Sequence, residues 1–272
     1  MRPADSIAHL DPRFAPATRL LWQYGVLGAL ERIAGLGFSA AEIWAQHLEA
    51  SKVSAQEAKA RADRLGLRLS LHAPAYDLNP LSSNREIAAV SQRQVLECLE
   101  DAARLAAVMV VVHPGAISSS TDDPEEYWLR LEEFAGLLNE KAASLGQRIA
   151  FEGMERKRLQ FVTDLEALDR LSEMLESNGL EQIGLTLDIA HAATLGDPME
   201  YVVRAPRLIH AHLSDTSEHK THALLGEGRL ALDGIIPVLL ERLPEGLIAI
   251  EGRLAADELR AVSTAAAFLR AY

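Results

Sequence analysis

Residues 185–192 read LTLDIAHA, a run built for a buried strand that closes on an aspartate and a histidine, Asp188 and His191. Both groups are costly to bury unless something pairs with them. The same ending recurs along the chain. Eight apolar runs read as strands: SIAHL (6–10), AEIWA (41–45), LRLSLH (67–72), VMVVVH (108–113), RIAFE (148–152), GLTLD (184–188), LIHAHL (208–213) and LIAIE (247–251). Amphipathic segments such as QEAKARADRLG, PEEYWLRLEEFAGLLNEKAASLG and DLEALDRLSEMLESNG lie between them, beginning after Asp, Ser or Pro and stopping at Gly, as helix ends do. No Pro/Gly/Ser-rich linker divides the 272 residues. The reading is an α/β fold, a single (β/α)8 barrel over residues 1–272, with its active site where the strands end. An open doubly wound sheet is the alternative, disfavoured because no glycine-rich phosphate loop follows the first strand.

Hydrophobic residues make up 49% of the chain and charged residues 24%, which excludes a disordered or low-complexity protein. No apolar run approaches the roughly 18 residues of a membrane span, and the N-terminus, MRPADSIAHLDPRF, lacks the order of a signal peptide. The expectation is a cytoplasmic protein with no membrane partner. The one cysteine, Cys98, lies in VLECLEDAARLA, where apolar residues recur at helical spacing; it reads as a packed core thiol, and no intrachain disulfide can form. A formal net charge of -12 repels nucleic acid on average, and any anionic ligand needs a local positive patch.

Polar residues that can ligate metals close the strands at His72, His113, Glu152, Asp188, His212 and Glu251. Alternation places them on one face, together with Ser70, Val111, Ala150, Thr186, His210 and Ala249 two positions earlier, mostly small as a barrel interior prefers. Leu71, Val112, Phe151, Leu187 and Ile250 point outward to the helices. Carboxylates and imidazoles that share a cation need no other partner, so a metal site explains the six endings together. His9, His47 and His219 read as ordinary hydrogen-bonded histidines, and His210 as a buried polar group one layer deeper. Trp44, on the same face as Glu42, is a candidate to stack on a substrate, with packing as its competing role.

From the third strand onward the chain resembles the xylose isomerase-like TIM-barrel superfamily, and within it the sugar phosphate isomerase/epimerase group and its relative endonuclease IV. The resemblance rests on LHAP at 71–74, VVHPG at 111–115, FE at 151–152, LDIAHA at 187–192, HLSD at 212–215, HALLGEG at 222–228 and IEG at 250–252, in that order and spacing. It implies that Glu152, Asp188, His212 and Glu251 hold one divalent metal, with Glu152 and Glu251 also the acid–base pair. It further implies that His72 and His113 allow a second metal bridged by Glu152, and that His191 and His222 match two ligands of a third zinc in the endonuclease branch. Three departures stand against that branch: Lys220 occupies the place of an aspartate ligand, SIAHLDPRFAP lacks its first-strand glycines, and TSEHKTH replaces its basic loop motif.

The function expected is a divalent-metal-dependent isomerase or epimerase of a small sugar or sugar phosphate, using Glu152 and Glu251 for proton transfer. Mixed oxygen and nitrogen ligands favour zinc or manganese, with iron as a third candidate, at one or two ions per chain. The alternative is an endonuclease IV-like phosphodiesterase acting on abasic DNA, which the acidic charge opposes; a barrel that binds without turnover is a third class. Arg156, Lys157, Arg158, Lys220 and Arg253 fall in loops at the active-site end, so the substrate is expected to carry a phosphate or carboxylate, with Lys220 and Arg253 in contact with it and His191 and Trp44 in the pocket.

Overall fold

Strand and helix alternate from Phe14 onward in the computed structural model, which describes residues 9–218, 220–253 and 256–272. The strands are β1 (Phe14–Pro16), β2 (Ala40–Trp44), β3 (Arg68–His72), β4 (Val110–Val112), β5 (Ile149–Glu152), β6 (Ile183–Asp188), β7 (Leu208–Leu213), β8 (Asp215–Ser217), β9 (Lys220–Ala223) and β10 (Ile248–Ile250). Eight of them form one parallel sheet in the order β1-β10-β7-β6-β5-β4-β3-β2, and a parallel bridge from Ala17 to Glu42 brings its two edges together. Parallel neighbours need a crossover, and the intervening helices supply it on the outside, which gives a nearly closed (β/α)8 barrel. Strands β8 and β9 pair only with each other, as an antiparallel hairpin after β7.

The helices start where short polar side chains satisfy free backbone N–H groups. Ser54 and Glu57 form a reciprocal capping box, Asn84 accepts from Glu86 and Ile87, and Asp123 precedes Pro124 at the first helical position. Their inner faces pack on the outward residues of the strands: Leu71, Val112, Phe151, Leu187 and Ile250 all belong to the main apolar core. The barrel interior is packed separately. Ala15, Ala40 and Leu247 form their own small cluster at its floor, and Val111, Ala150 and Ala249 are fully buried higher up.

Seven strands lie within one or two residues of their expected ends. The first does not. Of SIAHL, residues 6–8 fall outside the described residues, and His9 and Leu10 are not in a strand. The barrel instead begins with Phe14–Pro16, which is held by Ile248 N–H donating to Arg13 O and Ala17 N–H donating to Ile250 O. A three-residue strand ending in proline offers no alternation to read, and Pro16 has no N–H for the seam with β2.

A second irregularity positions the functional residues. The pairing of β6 with β7 shifts register between Leu185 and Thr186, after which Thr186 lies beside His210 and Asp188 beside His212. Gly184 permits this, because a Cβ there would meet Ile209 at 2.7 Å. No described helix is long and apolar enough to cross a membrane.

Candidate metal centre at the barrel mouth

Glu152 and Asp188 are the last residues of β5 and β6, His212 lies near the end of β7, and Glu251 directly follows β10. Period-two alternation turns all four inward at the C-terminal end of the barrel. His212 Nδ1 stands at the centre of the group: 3.5 Å from Glu152 Oε1, 3.8 Å from Glu251 Oε1 and 3.9 Å from Asp188 Oδ2. Asp188 divides its two oxygens. Its Oδ1 accepts the backbone N–H of His191 at 2.8 Å and caps the short helix Ile189–Ala192, which leaves Oδ2 for the interior. Glu152 Oε2, Asp188 Oδ2, His212 Nδ1 and Glu251 Oε1 are all buried without a hydrogen-bond partner among the described residues. Asp188 Oδ2, His212 Nδ1 and Glu251 Oε1 gather where Glu152 turns its Oε1, while Glu152 Oε2 faces His72 and His113; a cation resolves such unpartnered atoms, and the oxygen and nitrogen donors suit a divalent transition metal.

Two further groups adjoin this one. His72 and His113 approach Glu152 Oε2 through their Nε2 atoms at 3.5 and 3.1 Å, so Glu152 faces two sets of ligand atoms at once. His191 and His222 flank Asp188: His191 Nδ1 lies 2.9 Å from the Gly153 carbonyl and 3.2 Å from Glu152 Oε1, and His222 Nδ1 lies 3.9 Å from Asp188 Oδ2 and 3.1 Å from Ser214 Oγ. His222 reaches this position from β9 with a left-handed backbone, φ 60°. In each of the groups His72/His113/Glu152, Asp188/His191/His222 and Glu152/Asp188/His212, one donor atom per residue lies within 4.8 Å of the others.

Burial opposes charge at Glu152, His212, His72 and His191, and opposite charges overcome it. It would push Glu152 up, yet His212 and His113 hold that carboxyl well below the usual range. It would push the imidazoles down, yet Glu251 and Glu152 hold His212 well above its ordinary value, Glu152 raises His72, and Asp188 and Glu152 raise His191. The carboxylates need positive charge beside them, and a bound cation can take over that part from protonated histidines.

The Trp44 ring is buried and stacks on His72 with centroids 4.2 Å apart. Arg253 is exposed at the rim, its backbone N–H donating to the His222 carbonyl at 3.1 Å. Lys220 opens β9 two residues before His222. Arg156, Lys157 and Arg158 are exposed, with Lys157 paired to Glu155 and Arg158 donating to Ser120 Oγ at 3.3 Å. His47 lies apart, stacked on Trp22 with Nε2 at 3.2 Å from the Trp22 carbonyl; His219 is outside the described residues.

Two participants escaped the sequence reading. Glu42 of β2 is fully buried inside the barrel against His210 and His212; a carboxylate two places before Trp44 on an inward face was the available clue. Arg19, in the 3-10 helix Thr18–Tyr24 that follows β1, has its guanidinium 4.9 Å from the Trp44 ring and donates to Tyr76 Oη and the Gly252 carbonyl. Nothing in its local sequence marks it.

A family described as xylose isomerase-like TIM barrel matches residues 30–272. The chain belongs to that family. Among relatives of this xylose isomerase-like barrel, the Methanocaldococcus jannaschii protein MJ1311 is 29% identical over 265 residues, covering 92% of this chain and 87% of the relative. A solved D-tagatose 3-epimerase-like protein superposes with a TM-score of 0.81 at 25% identity, covering 95% of this chain and 97% of that one. The 3-keto-D-glucoside 4-epimerase YcjR from E. coli also superposes with a TM-score of 0.81, at 20% identity and over 96% and 100% of the two chains, a likeness of fold.

Proposed function

We propose that the protein is a divalent-metal-dependent isomerase or epimerase of a small sugar or sugar phosphate. The observation that carries this reading is the gathering of the buried carboxylates of Glu152, Asp188 and Glu251 around His212 Nδ1 at the open end of the barrel, where Asp188 Oδ2, His212 Nδ1 and Glu251 Oε1 have no hydrogen-bond partner among the described residues. The similar D-tagatose 3-epimerase-like structure gives the reaction class its precedent. Those four residues would hold the ion, zinc or manganese with iron as a third candidate, and His72 and His113 would join Glu152 around a second. When bound, the ion supplies positive charge for the negative charge that develops on the substrate oxygens.

The remaining work falls to the protein's side chains. Epimerisation beside a carbonyl needs one group to take the proton from carbon and another to return one, and Glu152 and Glu251 are the carboxylates placed for that exchange. His191, next to Glu152, serves as a substrate contact in this reading, and Trp44 holds the His72 ring while bordering the pocket. The test combines metal analysis of the purified protein with incubation of ketoses and ketose phosphates in deuterated water. Metal-dependent incorporation of deuterium at carbon is the expected result. A metal-loaded protein that leaves every sugar unexchanged and unconverted would overturn the epimerase reading.

One observation favours a second reading. The three overlapping donor groups could accommodate more cations than an epimerase requires, as a phosphodiesterase acting on abasic DNA would use them. A net charge of -12 weighs against it. Cleavage of an abasic-site duplex by the metal-loaded protein decides between the two.

A further inference from the structure

Glu42 sits one layer below the proposed ligands, wholly buried inside the barrel. The register of β2 with β3 puts it beside Ser70, and the closure of the barrel brings β7 across to it. Its two oxygens are used unequally. Ser70 Oγ donates to Oε2 at 3.0 Å, and His210 Nε2 lies 3.0 Å from the same atom. Oε1 and His212 Nε2 lie 3.3 Å apart, and neither has a hydrogen-bond partner elsewhere among the described residues. The other nitrogen of that ring, Nδ1, is the one that faces Glu152, Asp188 and Glu251.

A neutral imidazole has one N–H and one lone pair, so it can ligate a cation through Nδ1 only with its proton on Nε2. We infer that Glu42 is a positioning residue, pinned by His210 and Ser70 through Oε2, whose Oε1 holds the proton of His212 on Nε2 and so presents the Nδ1 lone pair to the metal. This rests on the metal reading of the mouth. A carboxylate in this place also fixes the ring's orientation and raises its basicity as a ligand, and such partners commonly change metal affinity by about 10- to 100-fold. The rival assignment, Glu42 as itself a ligand with His210 and His212, is weaker, because Ser70 and His210 already occupy Oε2.

The test compares wild type with Glu42→Gln, a variant of nearly the same volume. Zinc affinity is measured by competition with a chelator, the number of ions per chain by elemental analysis, and the His212 proton is located by nitrogen NMR of the zinc-loaded wild type. The inference expects the dissociation constant to rise about 10- to 100-fold with the number of ions unchanged, and the proton to be on Nε2. An affinity equal to wild type, or a proton on Nδ1, overturns it. Loss of one whole ion with the rest bound as before also overturns it, since Glu42 would then be a ligand. Wild type that binds neither zinc nor manganese removes the metal reading itself, an outcome distinct from a tight wild type with an indifferent variant. If Glu42→Gln does not fold, Ser70→Ala takes its place; it frees Oε2 of one donor and should weaken zinc severalfold, and no change would overturn the inference.

Discussion

At the floor of the barrel, Ala15, Ala40 and Leu247 close the interior with side chains that need no partner, whereas at the mouth Glu152, Asp188, His212 and Glu251 bury polar atoms that have none among the described residues. Leu247 and Glu251 flank the same strand, β10, at its two ends. An unpartnered buried polar atom costs about 1–3 kcal/mol, so selection for stability alone would not gather four of them. The floor stabilises the fold by itself. If the mouth holds the proposed metal, a cation that binds there should raise the melting temperature by mass action.

The most damaging way to separate the two ends is Glu152→Gln. The amide keeps the volume but neither bridges the ligand groups nor exchanges a proton, and turnover should fall by at least about 10²- to 10⁴-fold, the typical contribution of a general acid–base group. Metal retention should fall with it, while the melting temperature without metal stays near that of wild type. A variant that keeps both its metal and its full activity would remove Glu152 from the centre.

Leu247→Ala is the converse. Leu247 is fully buried in the floor cluster, and its truncation should cost about 2–5 kcal/mol, read as a lower denaturant midpoint. Metal affinity should hardly change in the folded protein. A large loss of metal would mean that the floor and mouth are mechanically coupled, and the comparison would fail.

The legibility of the sequence follows the same division. Strands β3 to β7 and β10 were readable because apolar alternation over several residues has one structural meaning, and the quartet was readable because each member interrupts such a run at its end. What escaped depends on partners remote in the chain. Glu42 gains its significance from His210, 168 residues away, and from Ser70 on the next strand. Phe14–Pro16 is a strand because Arg13 and Ala17 bond to residues around β10, not because FAP favours one. The left-handed backbone of His222, which brings its ring to Asp188, is likewise absent from any local pattern, since residues other than glycine seldom adopt it.

The smallest effect expected lies at the rim, where the substrate's charge would be recognised. Arg253 follows the buried Glu251 by two residues, yet it is exposed and makes no side-chain hydrogen bond among the described residues. Arg19, by contrast, spends its guanidinium on Tyr76 and the Gly252 carbonyl while lying over Trp44. An arginine already tied to protein acceptors fixes the wall of a site; one left in water has its fork available for a phosphate or carboxylate. Solvent screening limits what such a contact contributes, so Arg253→Ala should raise the Michaelis constant for a phosphorylated ketose about tenfold, or about 1.4 kcal/mol, with kcat little changed. The neutral parent sugar should be affected much less, and inorganic phosphate should inhibit wild type more strongly than the variant. Equal effects on the two substrates would return Arg253 to a solvated surface residue, and Arg19, which lies over Trp44, would be the next to test.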